Sequence, residues 1–400
     1  MDFKFSAEDE AFRHEVRSFI QSHLPPDIAQ DVSRWISPRM QNYRRWQRIL
    51  SDHGWGAPHW PREYGGTDWN ALQKHMFMQE VYAADAPDFG WQGTHMLAPV
   101  LIAFGAAELK ARFLPKILSG EEIWCQGFSE PGAGSDLANL KTSAVLDGDE
   151  YVINGQKIWT SDAASSDWGF FLARTDATVK PQRGLSFLLV KMDTPGVTVR
   201  PIRSIDGREE LNEIFLDNVR VPRAHLVGEA GQGWTYAKYL LEKERTASAY
   251  VYFNRRHLER AKVIARETRV AGGRLIDDPR FALQAARVEA DLLALEWSVL
   301  RVLAGERNRY NLDAVVSALK IRGSEMQQRA TELQIDALGP LSARHFEDGD
   351  PTLDDPQRCA NWPEYSVGPS SAFLFYRAAT IFGGAREVQK NIIAKLQFGS

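Results

Sequence analysis

The sequence predicts an α+β fold, mainly α, in which helices open the chain, a β segment fills the middle and helices return to the end. Two periodicities carry this. Apolar residues recur at three- and four-residue spacing from Phe5 to about Gly120 and again from Gly233 onward, as one face of a helix requires. Between about Glu122 and Pro222 they form short β-branched and aromatic runs split by turn residues, as strands require. The three zones read as an N-terminal helical domain (1–121), a middle antiparallel β domain (122–228) and a C-terminal helical domain (229–400). No low-complexity linker separates them, so they are expected to pack as one rigid unit.

In the first zone, "FRHEVRSFIQSHL" and "ELKARFLPKILSG" are amphipathic helices. "HGWGAPHWPREYGG", His53 to Gly66, is too rich in Gly, Pro and Trp for a helix interior and reads as a packed surface loop. In the second, "YVINGQKIWT", "WGFFLART", "GLSFLLVKM", "GVTVRPI" and "NEIFLDNVRVP" read as strands, and Asp147-Gly148 and Asn154-Gly155 as hairpin turns, which favours antiparallel pairing. In the third, Phe281 to Leu303 is a helix with Asp278 as N-cap and Pro279 at its first position.

Composition excludes several function classes. The net charge is −4 with both signs interspersed and no Lys/Arg block, so neither nucleic acid nor an anionic membrane is an expected partner. The N-terminus "MDFKFSAEDEAFRHEV" lacks the apolar core of a signal peptide, and Cys125 and Cys359 form no framework, which together predict a cytoplasmic protein. The nine histidines show no metal-ligand spacing, so no metal is expected. "GFSEPGAGSD" places neither serine in a hydrolase G-x-S-x-G elbow, and "GEAGQG" lacks the dinucleotide-binding spacing.

The helix "GWTYAKYLLEKERTASAYVYF" is more informative, because Glu242 and Glu244 point to opposite sides of it. Glu242 shares a face with Lys238, Arg245 and Thr246 and reads as a solvated ion-pair partner. Glu244 lies among Leu240, Leu241, Ala247 and Ser248, with Ala237 and Val251 a turn further out. A carboxylate on such a face must be paired, neutralised or functional, and partial desolvation strengthens it as a base.

Taken in order, "WPREYGG", "RFLPKILSGE", "GFSEPGAGSDLANLKTSA", "YVINGQKIWTS", "NEIFLDNVRVP", "VGEAGQGW" and "EVQKNIIA" resemble the acyl-CoA dehydrogenase family over nearly the whole chain. The resemblance implies that family's fold, with a four-helix bundle at the C-terminus, and FAD-dependent conversion of an acyl-CoA to trans-2-enoyl-CoA. It implies that Gln126, Phe128 and Ser129 line the isoalloxazine ring, that Trp159 packs on it, and that Ser161 hydrogen-bonds near N5, with Ser135 on the CoA side.

Many family members carry the catalytic base in a C-terminal Tyr-Glu-Gly-Thr sequence; here "IFGGAREVQ" puts Gly383 in that place. Relatives of the isovaleryl-CoA type carry it in a Glu-Arg pair on the first helix of the C-terminal domain, which "EKER" matches with Glu244 as base and Arg245 beside the substrate. Gly383 then offers only its backbone N–H to the thioester carbonyl. Glu387 stands where the family often has a cofactor-binding Gln, and "GGRLIDDPRF" and "QIDALGPLSA" depart from the family's partner-subunit FAD motifs. The implied partners are the acyl-CoA, an electron-transfer flavoprotein as electron acceptor, and either further copies in a dimer or tetramer or a different second subunit.

Overall fold

A computed structural model describes residues 5–35, 40–88, 91–243, 249–304, 312–346, 350, 353 and 362–399. The chain begins with α1 (Ala7–His23), whose N-terminus is closed by a reciprocal capping box: Asp9 N–H donates to the Ser6 hydroxyl and Ser6 N–H to the Asp9 carboxylate. α2 (Pro26–Ser33), α3 (Met40–Asp52) and α4 (Ala71–Ala83, capped by Asn70) pack on α1 around Val16, Ile20, Ile28, Trp46 and Phe77. The Gly/Pro/Trp-rich stretch is an irregular packed loop, as expected: Trp55 and Trp60 are buried, and the Trp60 indole N–H donates to the Thr94 carbonyl. A π-helical turn, Gln92–Leu97, leads into α5 (Ala98–Phe104) and α6 (Ala107–Leu118).

Seven strands follow: β1 (Trp124–Gly127), β2 (Ser143–Asp147), β3 (Glu150–Ser161), β4 (Trp168–Arg174), β5 (Leu185–Lys191), β6 (Val197–Ile202) and β7 (Leu211–Pro222). They lie in the order β1-β4-β2-β3-β7-β6, with β5 also on β4. Antiparallel pairs dominate, but β1 runs parallel to β4, which the long excursion through β2 and β3 makes possible. β4 and β5 are buried on both faces, one side set by Phe170, Leu172 and Phe187, the other by Phe171, Leu188 and Val190. Asp147-Gly148 forms the predicted hairpin, with Gly148 at φ 61°. Asn154-Gly155 does not: it sits inside β3 at a register shift against β7, and a Cβ on Gly155 would lie 2.7 Å from the Thr142 Cα.

The predicted long helix after Gly233 is two helices, α7 (Gly233–Lys243) and α8 (Val251–Glu267). Tyr250, at φ 52°, breaks the path, and the chain at Ala249 runs so close to a later helix that a Cβ on Gly323 would lie 2.3 Å from the Ala249 carbonyl oxygen. A short hairpin of β8 (Arg269–Val270) and β9 (Gly273–Arg274) leads to α9 (Pro279–Leu303), where the Asp278 carboxylate accepts from the N–H groups of Arg280 and Phe281. α10 (Leu312–Leu338) packs against α8, α9 and α12 (Arg386–Phe398), giving the four-helix bundle, with the short α11 (Pro369–Phe375) beside it. Leu258, Ile264, Leu292, Leu295, Leu319 and Leu333 form its core.

Candidate active site

The flavin-facing residues implied by the resemblance meet where β1 and β3 end. Opposite Glu213 of β7, β3 spends two residues, Ile158 and Trp159, on one. This bulge puts Trp159 at φ 61°, a conformation a bulky side chain adopts only under constraint. The indole is 58 % exposed, the opposite of what a sheet-packing aromatic would be. Three residues on, Asp162 is also left-handed (φ 58°) and its N–H donates to the Glu210 carbonyl at 2.8 Å, so Ser161 is held between two turned residues. Strained backbone of this kind is kept where the geometry is used.

The loop after β1 lies against that bulge. Ile158 N–H donates to the Ser129 carbonyl at 2.9 Å, and Phe128 is anchored edge-on to Phe170 and Phe187. Gln126 is half-buried at the end of β1. A turn closed by two Glu130–Ala133 backbone bonds carries the chain to the exposed Ser135, and at Gly132 and Gly134 a Cβ would meet nothing within 4 Å. The Ser129–Ile158 bond thus joins the Phe128–Ser129 loop to the bulge that carries the exposed Trp159 indole, an aromatic surface open to a flat ring such as a flavin's.

Under this surface lies a buried ion pair that the sequence reading missed. Lys157 Nζ, fully buried, donates to Glu130 Oε1 at 2.8 Å and to the Phe128 carbonyl at 3.1 Å. The Glu130 carboxylate also accepts from the N–H groups of Lys141 (2.6 Å) and Thr142 (2.9 Å). Burial pushes the Lys157 ammonium down to about 8 although Glu130 favours its charged form; burial would raise Glu130, but Lys157 together with the N–H groups of Thr142 and Lys141 holds it below its ordinary value. Both residues lie inside the motifs "SEP" and "QKIWTS"; charge complementarity between the two was the available signal.

Gly383 and Gly384, at φ 62° and 94°, form the loop before α12. A Cβ on Gly383 would lie in van der Waals contact with the Tyr250 hydroxyl (3.5 Å) and Lys320 Nζ (3.8 Å), and Lys320 donates to the Ala379 carbonyl at 3.2 Å. Glu387, at the start of α12, is exposed; its own backbone N–H and Arg386, 3.1 Å away, hold its carboxyl below the usual range. Glu244 and Arg245 lie outside the described residues; of the face assigned to Glu244, Ala237 and Leu240 are buried on α7 and Val251 is buried at the start of α8.

Arg208 is not the exposed surface charge that its place in a polar loop suggests. It is 8 % exposed, its Nε 2.6 Å from Asp206 and its Nη2 3.3 Å from Glu210, with the guanidinium over the rings of Trp35 and Phe375. Burial beside Glu210 raises the Asp162 carboxyl to about 7. Cys125 is buried and burial pushes its thiol up to about 12, so it is not a reactive thiolate. Among the described residues no cluster of His, Cys, Asp and Glu could hold a metal ion, and no helix is long and apolar enough to cross a membrane.

The chain matches the family descriptions "Acyl-CoA dehydrogenase, N-terminal domain" over residues 6–121, "middle domain" over 125–219 and "C-terminal domain" over 231–397. It is 37 % identical over 399 residues to acyl-CoA dehydrogenase IpdE1 of Mycobacterium tuberculosis, covering 98 % of this chain and 97 % of that one. Among solved structures it is similar to the ChsE4-ChsE5 complex of the same organism (31 % identity, TM-score 0.84, covering 100 % of this chain and 99 % of that one). It is also similar to the Tcur3481-Tcur3483 steroid ACAD (28 %, TM-score 0.85, with 100 % and 99 % covered). Three domain matches in order and a relative alike from end to end place the chain in the acyl-CoA dehydrogenase family of FAD-dependent oxidoreductases.

Proposed function

We propose that this protein dehydrogenates an acyl-CoA thioester to the trans-2-enoyl-CoA. The observation that carries the reading is the Trp159 bulge, an exposed indole on strained backbone joined to the Phe128–Ser129 loop. Bound FAD supplies the hydride acceptor. Trp159 and Phe128 bound the ring's site, Ser129 and Gln126 border it, and the Ser161 hydroxyl offers a hydrogen bond at its reactive edge. Glu244 takes the α-proton, with Arg245 beside it, while the Gly383 N–H polarises the thioester carbonyl so that the α-proton is acidic enough to transfer. Ser135 borders the CoA, and Glu387 reaches the cofactor of a neighbouring subunit.

The reduced enzyme passes its electrons to an electron-transfer flavoprotein. We further propose that the functional assembly is a heteromer with a second, different acyl-CoA dehydrogenase chain, in the cytoplasm. Two features support this: "GGRLIDDPRF" and "QIDALGPLSA" lack the family's partner-subunit FAD motifs, and the similar ChsE4-ChsE5 and Tcur3481-Tcur3483 structures each join two named chains. The test of the chemistry is Glu244→Gln. The variant is expected to bind FAD normally and to lose flavin bleaching by acyl-CoA by about 100-fold or more, the scale of a general base. Near-normal bleaching would remove Glu244 from the mechanism.

A further inference from the structure

A buried lysine-glutamate pair is costly. Replacing such a pair by apolar residues of similar volume is often neutral or stabilising, so stability alone does not explain its presence. Its connections suggest another reason. Lys157 Nζ divides its hydrogen bonds between Glu130 Oε1 and the Phe128 carbonyl, and Glu130 spends its remaining acceptor capacity on the backbone of Lys141 and Thr142. Lys157 sits directly before the bulge of Ile158 and Trp159, and Phe128 directly before Ser129, whose carbonyl accepts from Ile158 N–H.

We propose that Lys157 and Glu130 are positioning residues for the flavin: the pair clamps the Phe128–Ser129 loop to the Ile158–Trp159 bulge and so fixes the spacing of the two backbone segments that face the ring. This rests on the assignment of those segments to FAD. Without the clamp, the tie between the loop and the bulge among the described residues is the Ser129–Ile158 bond. One segment follows β1 and the other lies in β3; these strands are not paired neighbours in the sheet, so the sheet ladder itself does not set their spacing.

The experiment compares Lys157→Met, Glu130→Gln and the double variant, each as the full chain. Either single change leaves one buried charged group without its partner and lowers the urea midpoint. The double change removes both charges, so the midpoint recovers most of that loss and the protein remains folded. The clamp predicts that position does not recover with it. In the double variant the Phe128 carbonyl still lacks its donor, so Ile158 amide exchange stays about tenfold or more faster than in the wild type, and FAD binds about tenfold more weakly, the scale of one lost hydrogen bond.

A double variant with wild-type exchange at Ile158 and wild-type FAD affinity would make the pair merely structural and overturn the proposal. Neither readout uses acyl-CoA. A wild-type protein that, with its partner subunit present, binds FAD yet is bleached by no acyl-CoA would therefore count against the dehydrogenase reading and leave the clamp standing. If the chain alone retains no FAD, Ile158 exchange still decides the clamp.

Discussion

Arg208→Met is expected to destabilise the protein by about 3–5 kcal/mol, the cost of breaking a buried ion pair from one side. Asp206, 1 % exposed, holds the Arg208 Nε at 2.6 Å and is left with the Ser204 hydroxyl and, among the described residues, no cation against it. The guanidinium also stands 4.9 Å from the Trp35 ring and 4.6 Å from that of Phe375, contacts of about 0.5–2 kcal/mol each. Methionine replaces part of these through its thioether, which keeps the total near the ion-pair figure. A loss of 3 kcal/mol lowers the folding constant more than 100-fold. The assay is equilibrium urea unfolding followed by indole fluorescence, to which the Trp35 ring against Arg208 contributes, and by far-ultraviolet dichroism. Arg208→Met with Asp206→Asn removes the stranded charge and should regain at least half of the loss. A single variant within about 1 kcal/mol of the wild type, or a double variant no better than the single, would refute the reasoning.

Two further predictions concern pH and strain. Burial lowers His59 from 6.5 to about 4, so between those values the unfolded chain binds the extra proton; the stability is present above pH 6.5 and is lost as pH falls toward 4. At pH 5 this costs about 2 kcal/mol, so His59→Gln, which can still donate to the Thr94 carbonyl, should shrink the loss of stability between pH 7 and 5 by about that amount; an unchanged pH dependence would count against it. Trp159→Gly relieves a left-handed residue whose ring is mostly exposed, so the chain without FAD should be as stable as the wild type or about 1 kcal/mol more stable, while FAD binds about tenfold more weakly. A destabilised variant with unchanged FAD affinity would show that the bulge serves the fold and not the cofactor.

Helices with strong caps and apolar stripes, such as α1 and α9, were legible in the sequence because local chemistry decides them: Ser6 with Asp9, and Asp278 with Pro279. The strands β3 to β7 were legible from their apolar runs; β1, β2 and the short β8 and β9 were not, because their runs are too short to separate from a loop. The errors arose where tertiary contact overrode local preference. Asn154-Gly155 has hairpin chemistry, but β3 continues along β7 and uses the glycine for its closeness to Thr142. The helix after Gly233 has unbroken periodicity, but Tyr250 turns left-handed where the chain presses on Gly323. At the candidate site, the motif supplied Phe128, Ser129, Trp159 and Ser161 together. It could not supply the Lys157–Glu130 pairing, which joins residues 27 apart in the chain, or the burial of Arg208, which needs aromatic rings from both helical segments.

The largest apolar core is shared property. Leu101 and Phe113 from the opening helices, Trp124, Phe170 and Phe187 from the sheet, and Tyr236 and Leu240 from α7 belong to one continuous buried cluster. Each matched region thus has a core of its own and a share in this common one. A fragment cut at either junction would expose a facet of aromatic and leucine side chains evolved to face its neighbour. Exchange of single regions between relatives is constrained by this shared surface more than by the loops where the matches begin and end, and a partner region would have to bring its half of the facet with it.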